Sequence, residues 1–358
     1  MRNADGLPDG GGRGYDVVVI GGGAAGLGGA LALGRARRSV LVIDGGEPRN
    51  APADGVHNYL GRENTPPGEL LAAGREEARA YGVQIRQGQV VTVEQEAAGE
   101  GDSAVGREAV AGRDSAVEGG AAGFTVRLAD GDAVRARRLL VATGLVDELP
   151  KVPGLAELWG TDVLHCPYCH GWEVSDQAIG VLATGPLAVH QALLWRQWSE
   201  NVTLFLHTAP EPGDDDYERL AARGIAVVDG EVAALEREDG GGGLTGVRLA
   251  SGTVLDCRAL VVAPRFTARA GLLAGLGLEP VVQEVGGAVI GSYVAADATG
   301  RTAVPGVWVA GNLANVVEQV IGSAAAGARA AGAVNADLVE EDTRLAVAAR
   351  RAGDVLSA

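Results

Sequence analysis

Residues 15–26 read YDVVVIGGGAAG, and this stretch decides the fold. Its β-branched run is typical of a buried parallel strand. The pattern G-x-G-x-x-G follows at Gly21, Gly23 and Gly26. An Ala- and Leu-rich helix over 27–37 and a second strand over 40–43 come next, and that strand ends in Asp44. Because a helix N-terminus suits a pyrophosphate and an acid at this position suits a ribose hydroxyl, the stretch predicts a dinucleotide site.

A second motif, CPYCHG, begins at Cys166. Two cysteines with this spacing share one face of a helical turn at bridging distance, so Cys166 and Cys169 are predicted to form a redox-active pair. If the turn opens a helix, its free N–H groups and dipole favour the reactive thiolate. A zinc site is the alternative, since His165 and His170 flank the pair. Structural zinc needs four ligands and the remaining cysteine, Cys257, stands apart, so no metal is predicted.

Composition excludes several classes of partner. The 358 residues include 30 basic and 46 acidic side chains, and the net charge of −16 argues against nucleic acid and anionic membranes. Residues 17–34 carry no charge, but their many glycines favour a strand, a turn and a buried helix over a membrane span. Three cysteines do not make a secreted disulfide framework, and residues 1–14 lack an apolar signal segment. A cytoplasmic location and a small or neutral partner are therefore predicted.

The pattern of elements predicts an α/β fold with two Rossmann-like, three-layer dinucleotide-binding domains. The first domain is predicted to combine residues 15–150 and 266–340, with a low-complexity insert at 95–122. The second, residues 151–265, carries the two cysteines of the motif. Tails are expected at 1–14 and 341–358, and a helix of small residues is expected from about 315 to 337.

The second domain repeats the strand, turn and helix plan with an altered glycine pattern. Its three glycine positions are occupied by Ala183, Gly185 and Ala188, and an alanine at the first crowds the tight turn. After the next strand, His207 is followed by no arginine that could receive a 2′-phosphate. The sequence therefore predicts poor binding of NADPH.

The order of these elements resembles the bacterial thioredoxin reductase family of flavoproteins, from Tyr15 to about Asp337. The resemblance implies FAD in the first domain, with Asn312 where the family usually has an aspartate on the ribityl chain, and with Gln319 and Val320 at the flavin ring. The cofactor-binding residues expected on this basis are Gly21, Gly23, Gly26, Asp44, Asn58, Thr143, Gly144, Gly311, Asn312, Gln319 and Val320.

The cysteine motif is similar to that of the gliotoxin- and holomycin-type dithiol oxidases, in which a histidine follows the second cysteine. This resemblance implies a small-molecule dithiol and oxygen as substrates, and a homodimer. It also implies that Cys166 exchanges with the dithiol while Cys169 lies beside the flavin. His170 is the predicted base, with His165 as the rival.

Three other functions stay open on sequence alone. An NAD(P)H-dependent reductase of a thioredoxin-like protein is possible if the second domain binds a nucleotide weakly, with Glu211 on the ribose. A ferredoxin-fed reductase would be expected to carry a basic docking face, which a net charge of −16 disfavours. A flavin- or zinc-binding regulatory protein without turnover is the third alternative.

Overall fold

The computed structural model describes residues 14–96, 123–238 and 240–356, with side chains described up to residue 352. Most of the predicted insert 95–122 and of the predicted N-terminal tail 1–14 lies outside these residues. Among the helices of the described chain, none has the length and apolar character needed to cross a membrane.

The strands are short and are numbered in chain order. They are Tyr15–Ile20 (β1), Val40–Asp44 (β2), Gln84–Gln87 (β3), Val90–Gln95 (β4), Phe124–Leu128 (β5), Ala133–Val141 (β6), Leu145–Glu148 (β7), Val163–Leu164 (β8), Ile179–Leu182 (β9), Val202–Phe205 (β10), Ala226–Val228 (β11), Val232–Arg237 (β12), Leu244–Leu249 (β13), Val254–Asp256 (β14), Ala259–Val261 (β15), Arg265–Ala268 (β16), Val281–Val285 (β17), Ala288–Tyr293 (β18) and Val307–Val309 (β19).

The helices of the described residues vary widely in length. They are Ala24–Arg35 (α1), Pro67–Ala80 (α2), Pro167–His170 (α3), Ala188–Trp195 (α4), Asp214–Ala222 (α5) and Val320–Leu356 (α6). Single 3₁₀ turns occur at Ala156–Leu158, Gly271–Leu276 and Gly311–Leu313.

The first sheet has the order β3-β2-β1-β6-β5-β4, and β19 also pairs with β6. The strands β3, β2, β1, β6 and β19 are parallel, whereas β4 and β5 form an antiparallel meander with β6. The four residues from Val17 to Ile20 are buried, as their β-branched run predicts. In a parallel sheet, ligands bind at the carboxyl ends of the strands, which places the glycine turn after β1 at the site.

The second sheet, β11-β10-β9-β15-β8, is parallel throughout and is accompanied by an antiparallel sheet of β12, β13 and β14. Helix α4 follows β9 as the predicted plan requires, and the cysteine motif follows β8. The α/β fold with two dinucleotide-binding units is therefore confirmed. The exact domain boundaries stay a prediction.

A third sheet was not predicted from the sequence. It has the order β17-β18-β16-β7, and it pairs β16 with β7 across more than a hundred positions of the chain. In this pairing Phe266 lies opposite Asp147. Both side chains line the candidate site described below.

Helix α6 differs from the prediction at both ends. The expected helix from 315 begins only at Val320, because the preceding loop is held by the side chain of Asn312. The expected end of this helix near 337, with a separate helical tail after it, is not seen, since the helix continues without a break to Leu356. Leu338 is fully buried and Glu341 is 3% exposed, in ion pairs with Arg137 and Arg138. These contacts explain why the helix extends beyond the small-residue segment.

Candidate active site

A cavity of about 1370 Å³ is lined by residues of both dinucleotide-binding units. Most of the residues predicted for the site line it. They are Gly21, Gly23, Asp44, Thr143, Gly144, Cys166, Cys169, His170, Gly311, Asn312, Gln319 and Val320. The cavity therefore places the predicted redox pair and the predicted cofactor residues in one space, although Gly26 and Asn58 do not line it.

The glycine turn after β1 lets neighbouring backbone atoms and a ligand come close to its own backbone. Gly21 has φ +106°, and a Cβ there would lie 2.4 Å from the carbonyl oxygen of Ala142. A Cβ at Gly26 would lie 1.9 Å from the carbonyl oxygen of Gly21, so this glycine serves the packing of α1 on β1. A Cβ at Gly23 would meet no atom within 4 Å. The peptide at Gly23 therefore faces open space that a ligand can fill.

Asp44 closes the other side of this turn. Its Oδ1 accepts hydrogen bonds from the backbone N–H groups of Gly22 at 3.3 Å and Gly46 at 3.1 Å. Arg75 lies 3.8 Å from its Oδ2. The arrangement fits a dinucleotide, with a carboxylate at the ribose position and glycine backbone at the pyrophosphate position.

Asn312 uses its side chain within the protein. Its Nδ2 donates to the carbonyl oxygens of Asn315 at 3.2 Å and Glu318 at 2.9 Å, and its Oδ1 accepts from Nη1 of Arg49 at 3.3 Å. An aspartate could not donate these bonds. The amide thus orders the loop before α6, a role that the sequence reasoning did not foresee.

The cysteine motif forms the short helix α3, as the redox interpretation requires. Cys166 is its N-cap residue, and the backbone N–H groups of Cys169 and His170 bond to the carbonyl oxygen of Cys166 at 3.1 and 3.2 Å. The two cysteine sulfurs lie 2.7 Å apart. Pairing to an S–S bond needs only a small movement of the side chains.

The two thiols differ in acidity. A hydrogen bond from the Cys169 thiol lowers the pKa of Cys166 to about 7, against the effect of burial, and the N–H groups of Cys169 and Tyr168 and the charge of Arg49 act in the same direction. The pKa of Cys169 is raised, first by its bond to Cys166 and then by burial. Cys166 is therefore the thiolate of the pair.

Asn58 lies beside the redox turn rather than on the cavity wall. Its backbone is left-handed, with φ +59°, and its N–H donates to Oε2 of Glu63 at 2.9 Å. Its side-chain amide donates to the carbonyl oxygen of Tyr168, between the two cysteines. This bond ties the loop after β2 to the redox turn, and a contact of Asn58 with the cofactor stays a prediction.

His165 precedes the pair and lines the cavity. Its Nδ1 lies 3.1 Å from the carbonyl oxygen of Val262. Since a carbonyl only accepts, Nδ1 carries the proton and Nε2 holds the free lone pair. Burial lowers the pKa of this imidazole, more than the bond to Val262 raises it. His165 is thus a neutral imidazole with a fixed tautomer.

His170 is placed differently. Its Nε2 is buried without a hydrogen-bond partner among the described residues. Burial lowers its pKa, Glu173 raises it and His57 lowers it. No acceptor at Nε2 fixes the tautomer of His170, whereas the hydrogen bond to Val262 fixes that of His165.

Arg49 is a site residue that the sequence reasoning missed. It lines the cavity, its guanidinium lies 5.3 Å above the ring of Phe266, and it binds the carboxylate of Asp147. Phe266 in turn packs edge-on against His165 at 5.1 Å. No local pattern marks Arg49, because the partners that fix it come from distant parts of the chain.

Comparison with known proteins agrees with this geometry. The family model described as "Pyridine nucleotide-disulphide oxidoreductase" matches residues 15–331. The chain belongs to the pyridine nucleotide-disulphide oxidoreductase family. Thioredoxin reductase-like members of this family are FAD-dependent, so the chain is an oxidoreductase and its cofactor is FAD. The glycine cradle and Asp44 fit that cofactor.

Several relatives share much of this chain. "Thioredoxin reductase sirT" of Leptosphaeria maculans is 30% identical over 90% of this chain and 93% of its own length. "Thioredoxin reductase tcpT" of Claviceps purpurea is 34% identical, but the match spans only 53% of this chain and 54% of that relative. The solved structure of HlmI has 45% identity and a TM-score of 0.82, covering 96% of this chain and 98% of that one. The predicted thioredoxin reductase-like membership is confirmed.

Proposed function

We propose that this family member is an oxygen-using dithiol oxidase that closes an intramolecular disulfide in a small dithiol, R(SH)₂ + O₂ → RS₂ + H₂O₂. The observation that carries the proposal is the shared cavity, in which Cys166 and Cys169 face the same space as the cofactor cradle. Residues 15–150 with 266–340 would hold FAD, and residues 151–265 would present the cysteines. Two copies of the chain are expected to associate.

The second glycine turn supports a reaction without nicotinamide. Ala183 stands at its first glycine position, and residues 208–213, TAPEPG, contain no basic side chain. Helix α5 then opens with Asp214, Asp215 and Asp216. Three carboxylates beyond the end of β10 would repel the 2′-phosphate of NADPH, which other proteins bind with arginine.

Electrons are proposed to enter at the oxidised cysteine pair. A substrate thiolate attacks Sγ of Cys166, the bond to Cys169 breaks, and the Cys169 sulfur leaves as a thiolate that takes up a proton. The second thiol of the substrate, as its thiolate, then attacks the substrate sulfur that is bonded to Cys166. This step releases the cyclic disulfide and the Cys166 thiolate. The low pKa of Cys166 suits it as this leaving group.

The pair is then re-oxidised. The Cys166 thiolate and the Cys169 thiol together lose two electrons and one proton, and the S–S bond between them forms again. When bound, FAD would accept these two electrons and pass them to oxygen, which with two protons gives hydrogen peroxide. The protein's own part is to hold the two sulfurs together and to move the protons.

His165 is the proposed proton carrier, in place of His170. Its Nε2 is the free acceptor of a neutral ring whose orientation the carbonyl of Val262 fixes. A base of this kind can take a thiol proton and return it. His170 has no such fixed orientation at Nε2, and its role is proposed to be secondary.

An oxygen electrode tests the proposal. The FAD-loaded enzyme with dithiothreitol is expected to consume one oxygen and to form one hydrogen peroxide per disulfide. Cys166→Ser and Cys169→Ser should both lose this activity. Cys257→Ala should keep it, because Cys257 is buried just after β14. Unchanged turnover in either serine variant would overturn the proposal.

The names of the relatives favour a second candidate, a reductase that uses NAD(P)H. Anaerobic mixing with NADPH or NADH separates the two. Rapid bleaching of the flavin would support the reductase, whereas an unchanged spectrum with NAD(P)H and bleaching by dithiothreitol would support the oxidase.

A further inference from the structure

One wall of the cavity is not used by the cofactor cradle or by the cysteines. It consists of one face of α4 with its N-cap, and of the hairpin formed by β17 and β18. Besides the buried Trp195 of α4, six residues line it, namely Leu187, His190, Gln191, Leu194, Val285 and Ile290. At about 1370 Å³, the cavity exceeds the range of about 300–1,000 Å³ that is usual for one small ligand, so there is room for a second molecule.

The two parts of this wall lie against each other. A Cβ on Gly286, in the turn of the hairpin, would lie 3.6 Å from Cδ2 of Leu187. The hairpin turn therefore contacts the start of α4. Both parts belong to the lining of the same cavity.

Helix α4 is also fixed beside the redox turn. Trp198, just after α4, packs edge-on against Tyr168 at 5.7 Å. A Cβ on Gly171 would lie 2.8 Å from Nε1 of Trp198, so the end of the cysteine motif presses on the same ring. The redox turn is therefore packed against the end of α4 through Trp198.

The chemistry of this wall differs from that of the cradle side. Four of its six residues are aliphatic, and none carries a carboxylate, guanidinium or ammonium group. Gln191 adds an amide that can donate and accept hydrogen bonds. On the cradle side, by contrast, charged groups such as Asp44 and Arg75 line the cavity. A charged substrate would lose hydration on the α4 face without gaining a partner.

We propose that the α4 face is the substrate-binding site and that it selects small uncharged dithiols with an apolar body and a hydrogen-bonding group. The inference rests on the proposed dithiol oxidase. In a nucleotide-binding unit, the helix at the position of α4 holds a pyrophosphate. Here α4 is assigned to the dithiol instead.

Dihydrolipoamide and dihydrolipoate test this selection, because they differ only in an amide and a carboxylate. The FAD-loaded enzyme is expected to oxidise dihydrolipoamide with a kcat/KM about tenfold or more above that of dihydrolipoate, mainly through KM. Gln191→Lys should shift this preference towards dihydrolipoate by about three- to tenfold, since it places a cation on the wall. Gln197→Lys is the matched control, because this exposed residue makes the same change of charge outside the cavity, and it should leave the preference unchanged.

Equal kcat/KM for the two dithiols, or equal effects of the two lysine variants, would overturn the proposed site while leaving the oxidase in place. If neither dithiol is oxidised in air, the oxidase proposal fails instead. The site is then judged by calorimetric binding of the disulfides lipoamide and lipoate to the holoenzyme. Tighter binding of lipoamide that Gln191→Lys reverses would support the site, and equal binding would refute it.

Discussion

The guanidinium of Arg49 holds the carboxylate of Asp147 with two hydrogen bonds, from Nε at 2.7 Å and from Nη2 at 2.6 Å, across 98 positions of the chain. The Asp147 side chain is only 8% exposed, whereas that of Arg49 is 32% exposed. A two-pronged geometry fixes the cation more firmly than a single contact does. Arg49 is thereby a stationary positive charge on the wall that also carries the cysteines.

Arg49→Met is expected to raise the pKa of Cys166, because the charge of Arg49 is one of the effects that lower it. The pH midpoint for alkylation of the reduced, FAD-free protein by iodoacetamide should therefore move upward. Arg49→Lys keeps the charge but loses the two-pronged bond, so a smaller shift is expected. The double variant Arg49→Met, Asp147→Asn removes the unpaired buried carboxylate and should still show the shift.

Arg196→Met is the control for this experiment, since Arg196 bonds to the carbonyl oxygens of Arg223 and Ser199 and not to the cavity. It should leave the midpoint in place. A midpoint that stays fixed in both Arg49 variants would show that the helix N–H groups and Cys169 alone set the acidity of Cys166.

His165→Gln is expected to lower kcat by about a hundredfold or more, the usual effect of losing a general base. Burial holds the pKa of His165 below its ordinary value of 6.5, so Nε2 is unprotonated at neutral pH. Activity of the parent enzyme should therefore fall only below pH 6.5, as the imidazole gains a proton, and His165→Gln should remove this acid limb. His170→Gln should cost less than about tenfold and keep the limb. The opposite order of the two variants would return the role of base to His170.

Gly23→Ala tests where the cofactor lies. The added Cβ meets no protein atom within 4 Å, and φ is −77°, so the thermal unfolding of the FAD-free protein should be unchanged. The methyl group would instead collide with the bound dinucleotide, and the Kd for FAD should rise by about tenfold or more, in line with 1–3 kcal/mol of overpacking. Gly185→Ala, which also meets nothing within 4 Å in the second glycine turn, should leave the Kd for FAD unchanged. Normal FAD affinity in Gly23→Ala would place the pyrophosphate elsewhere.

Glu341→Ala should be strongly destabilising. Glu341 is buried between α6 and β6, with its Oε2 at 3.0 Å from Arg137 and 2.9 Å from Arg138. Removing one partner of a buried ion pair costs about 3–5 kcal/mol of unfolding free energy. Glu340→Ala, at the neighbouring exposed position, should change stability by less than about 0.5 kcal/mol. Similar urea midpoints for the two variants would contradict the role given to the network.

The parts of this molecule that local patterns encode could be predicted from the sequence. A β-branched run and a glycine pattern define β1 and its turn, because both act within a few residues through sterics and backbone conformation. The spacing of Cys166 and Cys169 likewise fixes their geometry within one helical turn. The structure has the predicted helix after the glycine turn and the predicted helical turn at the two cysteines.

The parts that depend on distant pairing could not be predicted. Arg49 acquires its role from Asp147, and the sheet that presents Asp147 pairs strands from separate regions of the chain. The continuation of α6 depends on Arg137 and Arg138, which lie about two hundred positions earlier. Our proposal of His165 rather than His170 as the base rests on one carbonyl oxygen, that of Val262. None of these partners leaves a periodic signal in the sequence.

The tie from Asn58 to Tyr168 leaves little freedom for mutation at position 58. Glycine would accept the left-handed backbone but lacks an amide, and aspartate would turn a lone pair towards the carbonyl oxygen of Tyr168 and repel it. Longer or branched side chains are disfavoured at φ +59°. Few substitutions at position 58 are therefore expected to be neutral. A library that randomises this position should return asparagine almost alone among variants with full turnover.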